Sequence, residues 1–157
     1  MKLDNTDLRI LNILQNNSAI STKELAKKLS LTTTPVYERI KKLEREGIIE
    51  KYVAIVNQKK MGVSLSAFIF VSIKEHTRRH LDKFQKDVNS FEEVTECFHI
   101  TGDSDFLLKV EVKDIQAYQT FIFNKLSLIT HLGSVKTQFV LSQMKQKSPN
   151  ISFVVEK

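Results

Sequence analysis

The sequence has a single cysteine, Cys97, among 157 residues, so no disulfide can close within the chain. That usage fits a reducing compartment, and the plain expectation for Cys97 is a small buried strand residue. Only four glycines are present and they form no cluster, which excludes a glycine-rich phosphate loop. No stretch approaches the ~18 unbroken apolar residues of a membrane span. The start, Met1-Lys2-Leu3-Asp4-Asn5, is charged and polar, unlike a secretory signal. A cytoplasmic protein is therefore expected, with no membrane partner. Ser, His and Asp residues occur without the arrangement of a catalytic triad, so no catalytic residue is assigned and no enzyme is expected. His76 and His80 stand four apart, but basic Thr77-Arg78-Arg79 lies between them. With no Cys or carboxylate read as completing a set, they are expected to be a solvated pair at a helix start. His99 and His131 show no evident partner, and neither a metal nor a cofactor is expected.

What the chain does have is charge, unevenly placed. The net charge is +6. Residues 1–60 hold twelve Lys/Arg against seven Asp/Glu; residues 61–157 hold twelve against eleven. A basic front joined to a nearly neutral remainder suggests a polyanion-binding module attached to something else; the plainer alternative is a soluble basic surface. A hydrophobic content of 41% suffices for one ordinary domain or two small ones.

The basic part reads as three helices. Residues 5–15 carry Leu8, Ile10, Leu11 and Leu14 at helical spacing, with Asp4 and Asp7 at the end where the dipole favours acid. A second helix opens on Ser21 and Glu24, spaced as a capping box, with Leu25, Ala26 and Leu29 inward and Lys23, Lys27 and Lys28 outward. A third starts within Thr32-Thr33-Thr34-Pro35 and is stopped by Gly47. Val36, Ile40 and Leu43 form its core side. Thr34, Glu38, Lys41 and Arg45 point nearly opposite, flanked by Tyr37 and Lys42, whereas Arg39 falls near the buried stripe as a supporting residue. Two short helices with a tight turn after a stabilising first helix form a helix-turn-helix, whose second helix enters the major groove. The expected DNA-binding residues are Lys23, Thr32, Thr33, Thr34, Tyr37, Glu38, Lys41, Lys42 and Arg45. The hydroxyl-rich helix start would lie at base edges and the later cations nearer phosphates. Residues 48–56 alternate partly and are expected to form a wing strand leading into a linker.

From Leu29 to Ile49 the text runs Leu-Ser-Leu-Thr-Thr-Thr-Pro-Val-Tyr-Glu-Arg-Ile-Lys-Lys-Leu-Glu-Arg-Glu-Gly-Ile-Ile. This resembles the helix-turn-helix signature of the Lrp/AsnC (feast/famine) regulators. Leu3-Asp4-x-x-Asp7-x-x-Ile10-Leu11 is similar to that family's first helix, and Met61-Gly62 to the close of its linker strand.

Beyond Gly62 the period changes. Strands are expected at residues 65–73, 94–101, 106–112 and 135–144, and helices at 78–88 and 114–129, the second with Ile115, Tyr118, Ile122, Leu126 and Ile129 inward. The order β-α-β-β-α-β is the ferredoxin-like split motif, with both helices on one face of an antiparallel sheet. The other face is also apolar, which suggests a dimer that hides it. The resemblance implies the same domain, paired face to face, with dimers often joined into octamers. It also implies an amino-acid effector site between dimers, at a Gly-x-x-Asp-(Tyr/Phe) hairpin. Here that places Gly102 and Asp105 in the site, Asp103, Ser104 and Phe106 beside them, and Thr137 at the start of the last strand. Residues 131–136, His-Leu-Gly-Ser-Val-Lys, depart from the family's Pro-Gly-Val and double-Thr pattern. The plainer reading of the turn is also open, because Gly, Asp and Ser are what any hairpin uses.

The sequence is thus read as α+β: a winged helix-turn-helix of three helices plus wing (residues 1–50), a linker strand (51–63), a ferredoxin-like regulatory and oligomerisation domain (64–147) and a tail (148–157). It is expected to be a DNA-binding transcription regulator that partners double-stranded DNA, an amino-acid effector and itself, as a homodimer or tetramer of dimers. The alternatives are an effector-independent architectural DNA-binding protein, a small enzyme on the same sheet, or an RNA-binding module. The enzyme would need a catalytic set that is not found. The RNA reading is disfavoured because residues 106–112 lack the required Gly/aromatic pattern.

Overall fold

A computed structural model describes residues 2–144, which divide into two compact units, residues 2–55 and 56–144. In the first, α1 (Asn5–Asn16) begins with a reciprocal box between two acids. Asp4 accepts the Asp7 N–H at 2.8 Å, and Asp7 accepts the Asp4 N–H at 3.2 Å. The box expected of Ser21 and Glu24 opens α2 (Thr22–Leu29). Ser30, left-handed at φ 58, turns the chain toward α3 (Thr33–Arg45). Ile10, Leu25, Val36 and Leu43 are fully buried where the three helices meet. Each such burial is worth roughly 1.5–3 kcal/mol, which holds helices too short to be stable alone.

Gly47, at φ +70, ends α3 as expected. The strand expected across residues 48–63 is not formed. Residues 51–57 have no regular structure, and Gln58–Met61 is a turn of 3-10 helix. A strand is held by its ladder, and among the described residues no segment pairs with this one, so Val53, Ile55 and Val56 stand exposed.

In the second unit β1 (Leu65–Ile73), β2 (Val94–His99), β3 (Phe106–Val112) and β4 (Leu132–Phe139) form an antiparallel sheet in the order β2-β3-β1-β4. With α4 (Arg78–Val88) and α5 (Ile115–Asn124) this is the ferredoxin-like order. Strand alternation sends Ile69, Val71, Leu108 and Val110 toward the helices, where they enclose Phe84, Val88 and Phe121. The opposite face shows half-buried Phe68, Phe70 and Leu107 and exposed Phe98 around an Lys109–Glu96 ion pair of 2.9 Å.

Three expected elements have different bounds. β2 stops at His99, before Thr101. The last helix stops at Asn124: Lys125 leaves helical geometry while its ammonium is clasped by Glu93 at 2.7 and 2.9 Å, and Leu126–Leu128 is a 3-10 turn. Phe121, not Ile115, is its fully buried residue; Ile115 is exposed at the helix start. The final strand starts at Leu132, where Gly133 lies against Ser72 and lets pairing begin early, and it ends at Phe139. The tail at residues 148–157 lies outside the described residues.

Candidate DNA interface and effector hairpin

On α3, Val36, Ile40 and Leu43 are buried and Thr33, Thr34, Tyr37, Glu38, Lys41, Lys42 and Arg45 are exposed, as the helical period requires. Thr32 stands at the N-cap but makes no side-chain cap bond, contrary to the capping role expected of the threonines. The hydroxyls at the start of α3 are therefore not spent on capping. Lys41 Nζ lies 2.7 Å from Glu44 Oε2 and 5.8 Å from the centre of the Tyr37 ring. Tyr52 donates its hydroxyl to the other Glu44 oxygen at 3.0 Å. The Glu44 carboxylate raises the Lys41 ammonium and is itself lowered, chiefly by Lys41; the Tyr52 hydroxyl is raised by burial and then by Glu44. Lys41 thus arrives at its face already paired. Arg45 Nε is 3.8 Å from Glu46, whereas Lys23 and Lys42 are exposed with no ion pair among the described residues.

Arg39 is the supporting residue that its position suggests. One guanidinium nitrogen reaches 2.6 Å from Asp4 and 2.7 Å from Asp7, binding α3 to the start of α1. The Asp7 N–H and then Arg39 hold the Asp4 carboxyl below its usual range. Nothing local marks Asp7 as buried, because its position is that of an ordinary helix-start acid.

In the second unit the β2–β3 hairpin closes through Ile100 N–H to Asp105 C=O at 2.8 Å, with Gly102 at φ +119, a conformation L side chains rarely adopt. Thr101, Gly102 and Asp103 are exposed. Asp105 fastens the hairpin to β1: it accepts the Ile73 N–H at 2.7 Å on one oxygen and His76 Nε2–H at 2.8 Å on the other, while its own N–H donates to Val71. Ser104 is buried, and Phe106 is a core residue between the rings of Phe84 and His99. Thr137 does not join this group within one chain. It sits opposite Ile69 on β4, bonded to the Tyr118 hydroxyl at 2.6 Å, while the hairpin attaches at Val71 and Ile73. A cavity of about 390 Å³, bounded by His76, Arg78, Leu81, Cys97 and His99, touches the expected effector set only at Phe106. Cys97 is half-buried there, and burial raises its thiol. The two histidines read as a pair take separate partners, His76 the Asp105 carboxylate and His80 the ring of His131.

A helix-turn-helix with an exposed, hydroxyl- and cation-bearing second helix, joined to a ferredoxin-like domain, defines a class of DNA-binding regulators. Comparison with known proteins gives the same class. Residues 3–50 match the winged helix-turn-helix DNA-binding family and residues 66–150 the Lrp/AsnC ligand binding domain. The chain is 35% identical over 147 residues to the Bkd operon transcriptional regulator of Pseudomonas aeruginosa, covering 94% of this chain and 96% of that one. It is 34% identical over 146 residues to the leucine-responsive regulatory protein of Escherichia coli, covering 93% and 89%. Among solved structures, a transcriptional regulator of Neisseria meningitidis in complex with L-Met superposes with a TM-score of 0.89 at 32% identity, covering 94% and 95% of the two chains. An AsnC family regulator of Agrobacterium tumefaciens does so with 0.89 at 35%, with the same coverage. The chain belongs to the Lrp/AsnC family of transcriptional regulators. It is a DNA-binding regulator with a ligand-binding domain, and not an enzyme. No described helix is long and apolar enough to cross a membrane.

Proposed function

We propose that the protein binds duplex DNA as a dimer, in the cytoplasm, through the outer face of α3, and that an amino-acid-like effector at the β2–β3 hairpin adjusts its assembly or its DNA affinity. The observation that carries the DNA part is the division of α3. Its inner side and Arg39 are committed to the first unit, while Thr33, Thr34, Tyr37, Glu38, Lys41, Lys42 and Arg45 stand outward. Thr32 and Lys23, exposed at the starts of α3 and α2, would touch the phosphates. In this reading residues 1–50 bind DNA, 51–63 link, and 64–147 assemble and sense. The half-apolar sheet face, with Phe68, Phe70, Phe98 and Leu107, suits a second copy of the chain, and dimers could join further. Two recognition helices would then meet half-sites one or more helical turns apart. The L-Met complex of the Neisseria regulator supports an amino acid as the effector class. Gly102, Asp103, Ser104, Asp105 and Phe106 shape the site, with Thr137 contributed from another copy.

Fluorescence anisotropy of a duplex selected from a random pool tests this. Affinity should fall steeply with salt, and Lys42→Ala should lower the log–log slope by about 0.9, one phosphate contact. Tyr37→Ala or Thr34→Ala should lower specific binding more than binding to mixed-sequence duplex. Salt-independent binding, or full affinity in all three variants, would overturn it. Sedimentation with a panel of free amino acids tests the effector; no change in mass or DNA affinity with any of them favours the architectural, effector-independent reading.

A further inference from the structure

The turn from β1 into α4 and the turn into β4 bring together three side chains that neither DNA nor the effector reading uses: Glu75, His80 and His131. One potential ligand atom from each lies within 4.8 Å of the other two. Glu75 Oε2 is 3.5 Å from His80 Nδ1, and the His80 and His131 rings stack with centroids 3.7 Å apart at 17°. The sequence conceals the group: Glu75 and His80 are five apart, and His131 comes from the far end of the domain.

Two imidazoles and a carboxylate, with water in a fourth position, are the ligand set of an open zinc centre. Bonds of about 2.0–2.1 Å place tetrahedral ligands roughly 3.3 Å apart. The Glu75–His80 spacing is close to that edge, and the ion would have to replace the 3.3 Å contact that the same His80 Nδ1 makes with the Glu75 carbonyl oxygen. His80, with its side chain only 18% exposed, is the fixed member. Glu75 and His131 are exposed and free to rotate, and binding requires the His131 ring to turn out of its stack on His80, because parallel rings cannot point their nitrogens at one ion. The backbone at His131 fixes where its ring starts. It is left-handed at φ 65, with its carbonyl held by the Lys74 N–H at 2.9 Å. Asparagine, aspartate and histidine are the non-glycine residues most often found in this conformation. Lys83, 3.0 Å from the Thr130 hydroxyl, sets one positive charge against the residue that precedes His131. Affinity should therefore fall below that of a closed four-ligand site.

We propose that Glu75, His80 and His131 bind a Zn²⁺ ion that ties the β1–α4 turn to the start of β4. The test uses tag-free, metal-stripped full-length protein, titrated calorimetrically with ZnCl₂ and followed by Co²⁺ absorption. The expected result is one ion per chain and the visible bands of four-coordinate Co²⁺. Loss of an outer partner of a metal ligand weakens metal binding about 10- to 100-fold, so loss of a ligand should weaken it at least tenfold. That is the expected effect in His80→Gln, in Glu75→Gln, and in His131→Asn, where asparagine keeps the left-handed turn. His99→Gln, on β2, should bind as wild type does. Circular dichroism verifies that each variant is folded, and the exposed Glu75 leaves one informative variant even if a histidine replacement disturbs the turn. No saturable binding to the wild type would overturn the proposal. So would affinities within threefold of wild type in the folded ligand variants, which would mark the ion as an adventitious surface guest.

Discussion

Replacing Arg39 with glutamine separates a residue that holds the DNA-binding unit together from one that reads DNA. Arg39 meets two carboxylates of unequal burial. Asp4 has 52% of its side chain exposed, so that pair contributes at most about 1 kcal/mol. Asp7 has 8% exposed, and without Arg39 its carboxylate keeps only the Asp4 N–H and the favourable end of the α1 dipole. Breaking a buried pair costs about 3–5 kcal/mol, but Arg39 is itself 35% exposed and water would enter. The expected loss is about 1.5–3 kcal/mol. For a unit of this size that lowers Tm by on the order of 10 °C, measured by calorimetry or circular dichroism on the full chain. Asp7→Asn should recover part of the loss in the Arg39→Gln background, with a coupling above about 1 kcal/mol in the double-mutant cycle. A loss under about 0.5 kcal/mol, or strict additivity, would refute the reasoning. DNA binding gives an independent check. At a temperature where both proteins are folded, Arg39→Gln should keep the wild-type salt slope; a fall of about 0.9 would make Arg39 a phosphate contact.

Gly133→Ala would place a Cβ 2.8 Å from Ser72 Oγ and 2.9 Å from the Ser72 carbonyl oxygen, and the carbonyl cannot rotate away. A loss of about 1–3 kcal/mol in urea unfolding is expected, and an unchanged midpoint would show that the strands part at no cost. Phe106→Ala should cost about 3–5 kcal/mol, because the ring is a core element between Phe84 and His99; if Phe106 serves only a ligand, stability will not change. Asp4 has a lowered folded-state pKa, so its contribution is complete above the ordinary carboxylate value of about 4 and is lost as the pH falls through the lower folded value. The stability gap between wild type and Asp4→Asn should therefore shrink between pH 6 and pH 2, and a constant gap would contradict the assignment.

What could be read ahead of the structure was what local chemistry encodes. Ser21 and Glu24 announce α2 by themselves, Gly47 stops α3, and the two-residue alternation of Leu65 to Ile73 identifies a strand and its inward side. Arg39 was placed correctly as a supporting residue because the helical period alone turns it toward the core. Its partners were not legible, since ion pairs across thirty residues leave no periodic trace. The start of β4 was misplaced for a similar reason. Gly133 is explained by Ser72, and only the folded register brings the two together. The strand expected across residues 48–63 failed differently. Its alternation is real, but a ladder needs a second strand, and alternation does not supply one. The effector set mixed two kinds of residue: Gly102 and Asp103 lie on the exposed turn, whereas Ser104 and Phe106 are buried, Phe106 because the β3 pattern that identifies the strand also requires it.

Asp105 sharpens what the hairpin can do. Both of its oxygens are engaged, by the Ile73 N–H and by His76, so an incoming ammonium would have to share or displace one of these donors. The hydrogen bonds that close the turn use Ile100 and Asp105, leaving the N–H groups of Gly102 and Asp103 without a protein partner among the described residues. Such exposed turn donors suit a carboxylate. A free amino acid carries both groups, and the turn N–H groups serve only the carboxylate. On the proposed reading, the ammonium must therefore be met by Asp103 or by a side chain from a second copy. A ligand held partly by each of two chains binds the assembled state more tightly than the separated one. A difference of about 1–3 kcal/mol between the two states would couple amino-acid concentration to oligomer size, and so to the number of α3 helices offered to DNA at once.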